Sequence, residues 1–168
     1  MNAAVIYKTK YGATHQYAQW IGSELGFPIY EAEEIESDQL TEYECIIIGS
    51  SVYYGRLLIK KWLLLNWRFI QGKDIFLFVV SGTPKEKKEK LNSYILNSLS
   101  PEAINSCKIF FLPGKLLLSE LSFIERFMLK LSAKMASRNN STARNSIEYN
   151  NVKKENIKEL LTAVKFQS

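Results

Sequence analysis

An alternation constrains this chain most. Short apolar runs rich in β-formers recur, and most are followed by a stretch whose apolar residues repeat with helical spacing. Ala3 to Tyr7 reads as a buried strand. Thr14 to Leu25 then places Tyr17, Ala18, Ile21 and Leu25 on one helical face, and Gly26 stops that helix. Pro28 to Ala32 reads as an outer strand, and Cys45 to Gly49 as a second apolar run. Leu58, Trp62, Leu65 and Phe69 recur at i, i+4, i+7 and i+11, a helix ended by Gly72. Ile75 to Val80 is another buried strand, and Lys85 to Leu99 a helix with Leu91, Ile95 and Leu99 inward. Lys108 to Leu112 is the fifth strand, and Ile157, Leu160, Leu161 and Val164 mark a closing amphipathic helix. Such alternation predicts an α/β fold, a three-layer sandwich whose five-stranded parallel sheet is covered on both faces. Right-handed crossovers leave few topologies, and the order 2-1-3-4-5 is one of them. In that order ligands bind beyond the carboxyl ends of the strands, where strands one and three diverge.

The 168 residues suit one domain, 1–168, that needs no disulfide or metal to hold its core. Cys45 and Cys107 lie far apart in apolar runs and read as buried reduced thiols. His15 is the sole histidine, so a zinc site or a histidine-based triad is hard to assemble. No apolar run reaches the ~18 residues of a membrane span. The opening Met1-Asn2-Ala3-Ala4-Val5-Ile6-Tyr7 lacks the basic and apolar regions of a signal peptide, so the expectation is a cytoplasmic domain. Any chemistry is then expected from a cofactor.

One stretch breaks the pattern. A strand-to-helix connection needs only ~2–6 residues, yet Pro113 to Asn150 stands between the fifth strand and the last helix. This insertion is greasy and basic. Leu117, Leu121, Ile124, Met128, Leu131 and Met135 form an apolar stripe, and Arg126, Lys130 and Lys134 a second stripe at i+4. Arg138 to Asn145 is polar and reads as an exposed loop.

Three loops carry the candidate chemistry. The first, Thr9-Lys10-Tyr11-Gly12-Ala13-Thr14, joins a strand to a helix. It can aim backbone N–H groups and a helix N-terminus at a phosphate, and Gly12 permits close approach. An ordinary turn capped by Thr14 is the alternative. The second, Ser50-Ser51-Val52-Tyr53-Tyr54-Gly55, offers small residues and tyrosines that suit a flat aromatic ligand; simple packing is the alternative for the tyrosines. The third is Ser81-Gly82-Thr83-Pro84. One phosphate cradle and two ring walls are what a mononucleotide carrying an isoalloxazine needs.

Thr9-x-Tyr11-Gly12-x-Thr14 resembles the FMN-phosphate loop of flavodoxins. The resemblance implies a flavodoxin-like sandwich; the long helical insertion after the fifth strand is a feature that ordinary flavodoxins lack. Arg126-Phe127-Met128-x-Lys130-Leu131-x-x-Lys134-Met135 resembles a segment of the flavodoxin-type, menaquinone-dependent protoporphyrinogen oxidases. Ile48-Gly49-x-Ser51-Val52-x-Tyr54-Gly55 is similar to a loop of that family, as are Thr142-x-Arg144 and Tyr149 to its later segments. The resemblance implies FMN as cofactor, a porphyrinogen-like donor and a quinone acceptor. The alternative is a flavodoxin-type electron-transfer protein serving a dedicated redox partner.

Charge bears on the partners. The expected mouth carries Lys8, Lys10, Arg56, Lys85, Lys87 and Lys88, a basic rim that favours anions such as propionates. Arg126, Lys130 and Lys134 beside the greasy stripe suit an anionic membrane surface, where quinone resides. Equally, the stripe could cover the protein's own sheet or a second copy. His15 reads as a helix residue that could also reach the phosphate, and Glu31, Glu33, Glu34 and Glu36 as surface charge. No nucleic-acid motif is present.

Overall fold

The computed structural model describes residues 1–137 and 148–167. Strands β1 (Ala3–Lys8), β2 (Ile29–Glu31) and β3 (Cys45–Tyr53) run parallel, as do β5 (Asp74–Ser81) and β6 (Cys107–Pro113). The sheet order is β2-β1-β3-β5-β6, the expected 2-1-3-4-5 once the short β4 (Arg56–Leu57), a hairpin return on β3, is left out of the count. Registers such as Ile6 with Ile48 and Ile48 with Leu77 put branched side chains in line across the strands.

Side chains alternate across a strand, so a sheet covered on both sides must be apolar at successive positions. Ala4, Ile6, Ile46, Ile48 and Leu77 face α2 (Lys60–Ile70), α3 (Lys88–Leu96) and α4 (Pro101–Ser106). Ala3, Val5, Ile47, Phe76 and Phe78 face α1 (Ala13–Leu25) and α6 (Lys158–Lys165). Cys45 is buried and Cys107 half-buried, both as free thiols. Burial pushes the Cys45 thiol up to about 12 and the Cys107 thiol up to about 11.

Two helices differ from the expectation. The inward face of α2 is Ile59, Leu63, Asn66 and Ile70 with Trp62, while Leu65 is two-thirds exposed. The apolar stripe read from the sequence was therefore partly off the buried face, because this helix carries leucines on both sides. The long helix foreseen over residues 85–99 begins only at Lys88, and α4 is separate. Pro101 disfavours helical backbone at Ser100, which instead caps α4 by accepting from the Ala103 N–H.

The insertion leaves and returns through a two-stranded ribbon, β7 (Lys115–Leu116) with β8 (Tyr149–Asn150). Between them lies α5 (Phe123–Ser137). Among the described residues the apolar side chains of α5 do not join either core: Phe123, Ile124, Phe127 and Leu131 are exposed, and Met128 is 47% exposed. The reading in which this stripe covers the protein's own sheet is thereby corrected, although Leu121 just before the helix is buried. The Arg138 to Asn145 loop and the Thr142-x-Arg144 segment lie outside the described residues.

At Gly49 the backbone of β3 passes beneath a neighbour's ring. A Cβ there would stand 2.2 Å from the Phe78 ring of β5, its cross-strand partner. Gly49→Ala is expected to lower the free energy of unfolding by about 1–3 kcal/mol through overpacking. Chemical denaturation checks this, and an unchanged midpoint would refute it.

Candidate functional site

The three expected loops meet at the carboxyl ends of β1, β3 and β5. In the first, the Gly12 N–H donates to Thr9 Oγ1 (3.0 Å), folding the loop onto itself. Gly12, with φ of 79°, takes the left-handed conformation and is the N-cap of α1. No side chain caps this helix start, and no acidic residue stands in its first turn. Thr14 is thus not the cap. It is fully buried within the first turn, its hydroxyl 2.7 Å from that of Ser51, which ties the first loop to the second. His15 is stacked on Tyr7, ring centroids 4.9 Å apart. Lys8 is paired with Glu33.

The second loop is a hairpin tip. Tyr54 (φ 47°) and Gly55 (φ 72°) both have positive φ between Tyr53 and Arg56, the geometry of a tight two-residue turn. This lifts the Tyr54 ring clear of the surface, 66% exposed and packed edge-on against Tyr53 at 4.3 Å. Ser50 lies beneath, buried, its hydroxyl donating to the Ser51 carbonyl (2.9 Å) and accepting from the Ile59 N–H (3.2 Å). It braces the loop and does not line its surface. Val52 is half-buried and pairs with Leu57.

In the third loop Ser81 Oγ accepts from the Thr83 N–H (3.3 Å), and the Thr83 hydroxyl meets that of Tyr94 at 2.7 Å. Tyr149, from β8, lies across Gly82: a Cβ on that glycine would come within 1.7 Å of the Tyr149 hydroxyl oxygen. Between the second and third loops opens a cleft of about 450 Å³ edged by Tyr54, Gly82, Thr83, Lys87, Lys90 and Tyr94. A second cleft, of about 360 Å³, lies under α5 against Tyr11, Tyr53, Leu116, Leu121 and Met128.

What draws α5 over the loops is Glu125. Its Oε1 accepts from the Tyr11 hydroxyl (2.5 Å) and the Tyr53 hydroxyl (2.8 Å), and lies 3.2 Å from Lys10 Nζ. Its Oε2 accepts from the Ser122 N–H (2.8 Å), while Ser122 Oγ accepts from the Glu125 N–H (3.3 Å). This reciprocal pairing is a capping box, so the residue that starts α5 also anchors it. The Tyr11 hydroxyl, then the Ser122 N–H, hold the Glu125 carboxyl well below the usual carboxylate range. Burial, then Glu125, pushes the Tyr11 phenol up. Lys10 Nζ also sits 3.6 Å from the Tyr53 ring centroid. Arg126 turns back on its own segment, donating to the carbonyls of Leu121 (3.1 Å) and Ser119 (3.3 Å), whereas Lys130 and Lys134 are exposed. Among the described residues no group of side chains could hold a metal ion.

Residues 4–143 match the family model of the flavodoxin domain. The chain belongs to the flavodoxin-domain family. It is 24% identical over 147 residues to protoporphyrinogen IX dehydrogenase [quinone] of Escherichia coli K12, a match covering 81% of each chain. It is 29% identical over 101 residues to an uncharacterized protein of Methanocaldococcus jannaschii, covering 55% of this chain and 67% of the other. Among solved structures, a WrbA-like flavodoxin of Agrobacterium tumefaciens superposes with a TM-score of 0.50 at 16% identity, over 83% of this chain and 99% of that one.

Sequence reasoning placed the three loops but missed Glu125. The pattern Ser122-x-x-Glu125 was the available signal, since it marks a helix start. Glu125→Ala is expected to release α5. Its amides should exchange with deuterium roughly tenfold faster, with the core strands unaffected. Unaltered exchange would show that the carboxylate does not anchor the helix.

Proposed function

We propose that this protein is an FMN-dependent oxidoreductase. It takes reducing equivalents from a porphyrinogen-like anionic substrate and passes them to a quinone. The observation that carries this reading is the convergence of three flavin-type loops under an insertion that Glu125 hooks to the first two and Tyr149 lays across the third. A diffusing electron carrier has no need of such a roof.

The residues present fit FMN. The α1 start is uncapped and free of acidic side chains, which leaves N–H donors and a favourable dipole for a dianionic phosphate. Thr9, Lys10, Tyr11, Gly12, Ala13 and Thr14 would hold that phosphate. Ser51, Val52, Tyr53, Tyr54 and Gly55 would flank the ring on one side, and Ser81, Gly82 and Thr83 on the other, with Ser50 supporting from beneath. FMN, when bound, supplies the hydride and electron chemistry. The chain's own part is to position and to exclude water. The tyrosines of the hairpin tip give flat apolar walls. Lys87 and Lys90 at the cleft beside Tyr54 favour an anionic substrate over a basic protein partner.

The identity to the Escherichia coli dehydrogenase supports the choice of substrates. Fluorescence of porphyrin is expected to rise when FMN-loaded protein meets anaerobic protoporphyrinogen IX and a menaquinone analogue, and only when quinone is present. No rise from a sample whose flavin is visibly bound would overturn the substrate assignment and favour the electron carrier.

The exposed face of α5 fits an anionic bilayer. Phe123, Ile124, Phe127 and Leu131 are between half and nine-tenths exposed, beside Lys130 and Lys134. Among the described residues no helix is long and apolar enough to cross a membrane. The protein is expected to float with anionic vesicles at low salt and to leave them at high salt. Failure to float, together with a dimer in solution, would assign the same face to a second copy.

A further inference from the structure

The insertion brings a lysine to the phosphate loop. Lys115 opens β7, and its backbone is fixed on both sides. The preceding Gly114 donates to the Ser81 carbonyl (2.8 Å) and accepts from the Asn151 N–H (3.1 Å), and Lys115 itself pairs with Asn150. Its side chain is only 19% exposed. Its Nζ lies 3.9 Å from where a Cβ on Gly12 would stand, beside the N-cap of α1.

That placement puts two positive groups together. The start of α1 carries roughly half a unit of positive charge from its unsatisfied N–H groups. Neither a capping side chain nor a first-turn carboxylate offsets it. An ammonium shielded from water next to such a helix end is repelled by it. Its recorded counter-charge is Glu120 Oε1 at 2.8 Å, a partly exposed carboxylate five residues along the same insertion. A dianion between the lysine and the helix start would be attracted by both. A neutral ligand of the same shape would gain from neither.

We propose that Lys115 is a phosphate ligand of the cofactor site, an ammonium supplied by the insertion to the 5′-phosphate of FMN, with Glu120 as the counter-ion that the phosphate displaces. The inference rests on the FMN reading above. Its consequence is that the phosphate subsite is incomplete without the insertion.

Titration of the full chain with FMN and, separately, with riboflavin tests this, read by quenching of flavin fluorescence. Riboflavin lacks the phosphate, so it reports on every other contact. Lys115→Met is expected to lose about tenfold or more of its FMN affinity, with riboflavin affinity changed by less than about twofold. Lys115→Arg should keep FMN binding, because the charge remains. Glu120→Gln should strengthen FMN binding by removing the competing carboxylate, and should have no such effect in the Lys115→Met background. Equal losses for both flavins in Lys115→Met would give the lysine a merely structural role and overturn the proposal. So would an unchanged FMN affinity. Should the unsubstituted chain bind neither flavin, the FMN reading itself would fall, a result distinct from the other two.

Discussion

A parallel sheet buried on both faces leaves its strands no free surface along their length. Ala3 to Ile6 and Cys45 to Ile48 are closed in by helices on either side. The exits are the strand ends, and at the carboxyl ends of β1, β3 and β5 the chain turns through glycines and small hydroxyl residues, interleaved with tyrosines in the first two turns. The core also reaches into those turns. Thr14 and Ser51 join hydroxyl to hydroxyl, and Ser50 holds the start of the next segment through the Ile59 N–H. The geometry of the loops is therefore set by buried hydrogen bonds whose loss would leave polar groups unpaired away from water. This is what allows loops to act as a preformed site.

The insertion completes that site from the other side, and it does so at each loop separately. Glu125 takes the hydroxyls of Tyr11 and Tyr53, bridging the first and second loops. Lys115 comes to Gly12 in the first. Tyr149 covers Gly82 in the third, where only a glycine leaves space for its hydroxyl. The β7–β8 ribbon makes these contacts consistent with one another, because Lys115 and Tyr149 lie on paired strands. Residues distant in sequence are thus fixed as a unit against loops that belong to the sandwich.

The sandwich was legible in the sequence because its strands are short unbroken apolar runs, and such runs have one good use in an alternating chain. The loops were legible for a related reason: glycine, serine and threonine at strand ends stand out against apolar neighbours. The inward face of α2 was harder to read. Leu64 and Leu65 are as apolar as Leu63 yet two-thirds exposed, so composition does not tell which side is buried. Nor did periodicity reveal the role of Glu125. A single carboxylate in a basic helix reads as surface charge until the fold shows two tyrosine hydroxyls and an ammonium around it. Lys115 escaped notice likewise, since its neighbour Gly12 lies far back in the chain and only the return of the insertion brings them together.

The apolar face of α5 has no explanation within the fold. Neither core cluster includes its described residues, and its hold on the domain runs through Glu125, through the Tyr54 hydroxyl donating to Met128 Sδ (3.6 Å) and through the buried Leu121 preceding the helix. Burying a side chain the size of Phe or Leu is worth about 1.5–3 kcal/mol. Phe123, Ile124, Phe127 and Leu131 leave most of that unrealised. Scattered exposed leucines are ordinary, but four large side chains on one helix form a patch of the kind that marks an interaction surface. The same helix starts at the carboxylate that reaches the flavin-type loops. Whatever covers its outer face therefore rests on the helix that Glu125 ties to the first and second loops.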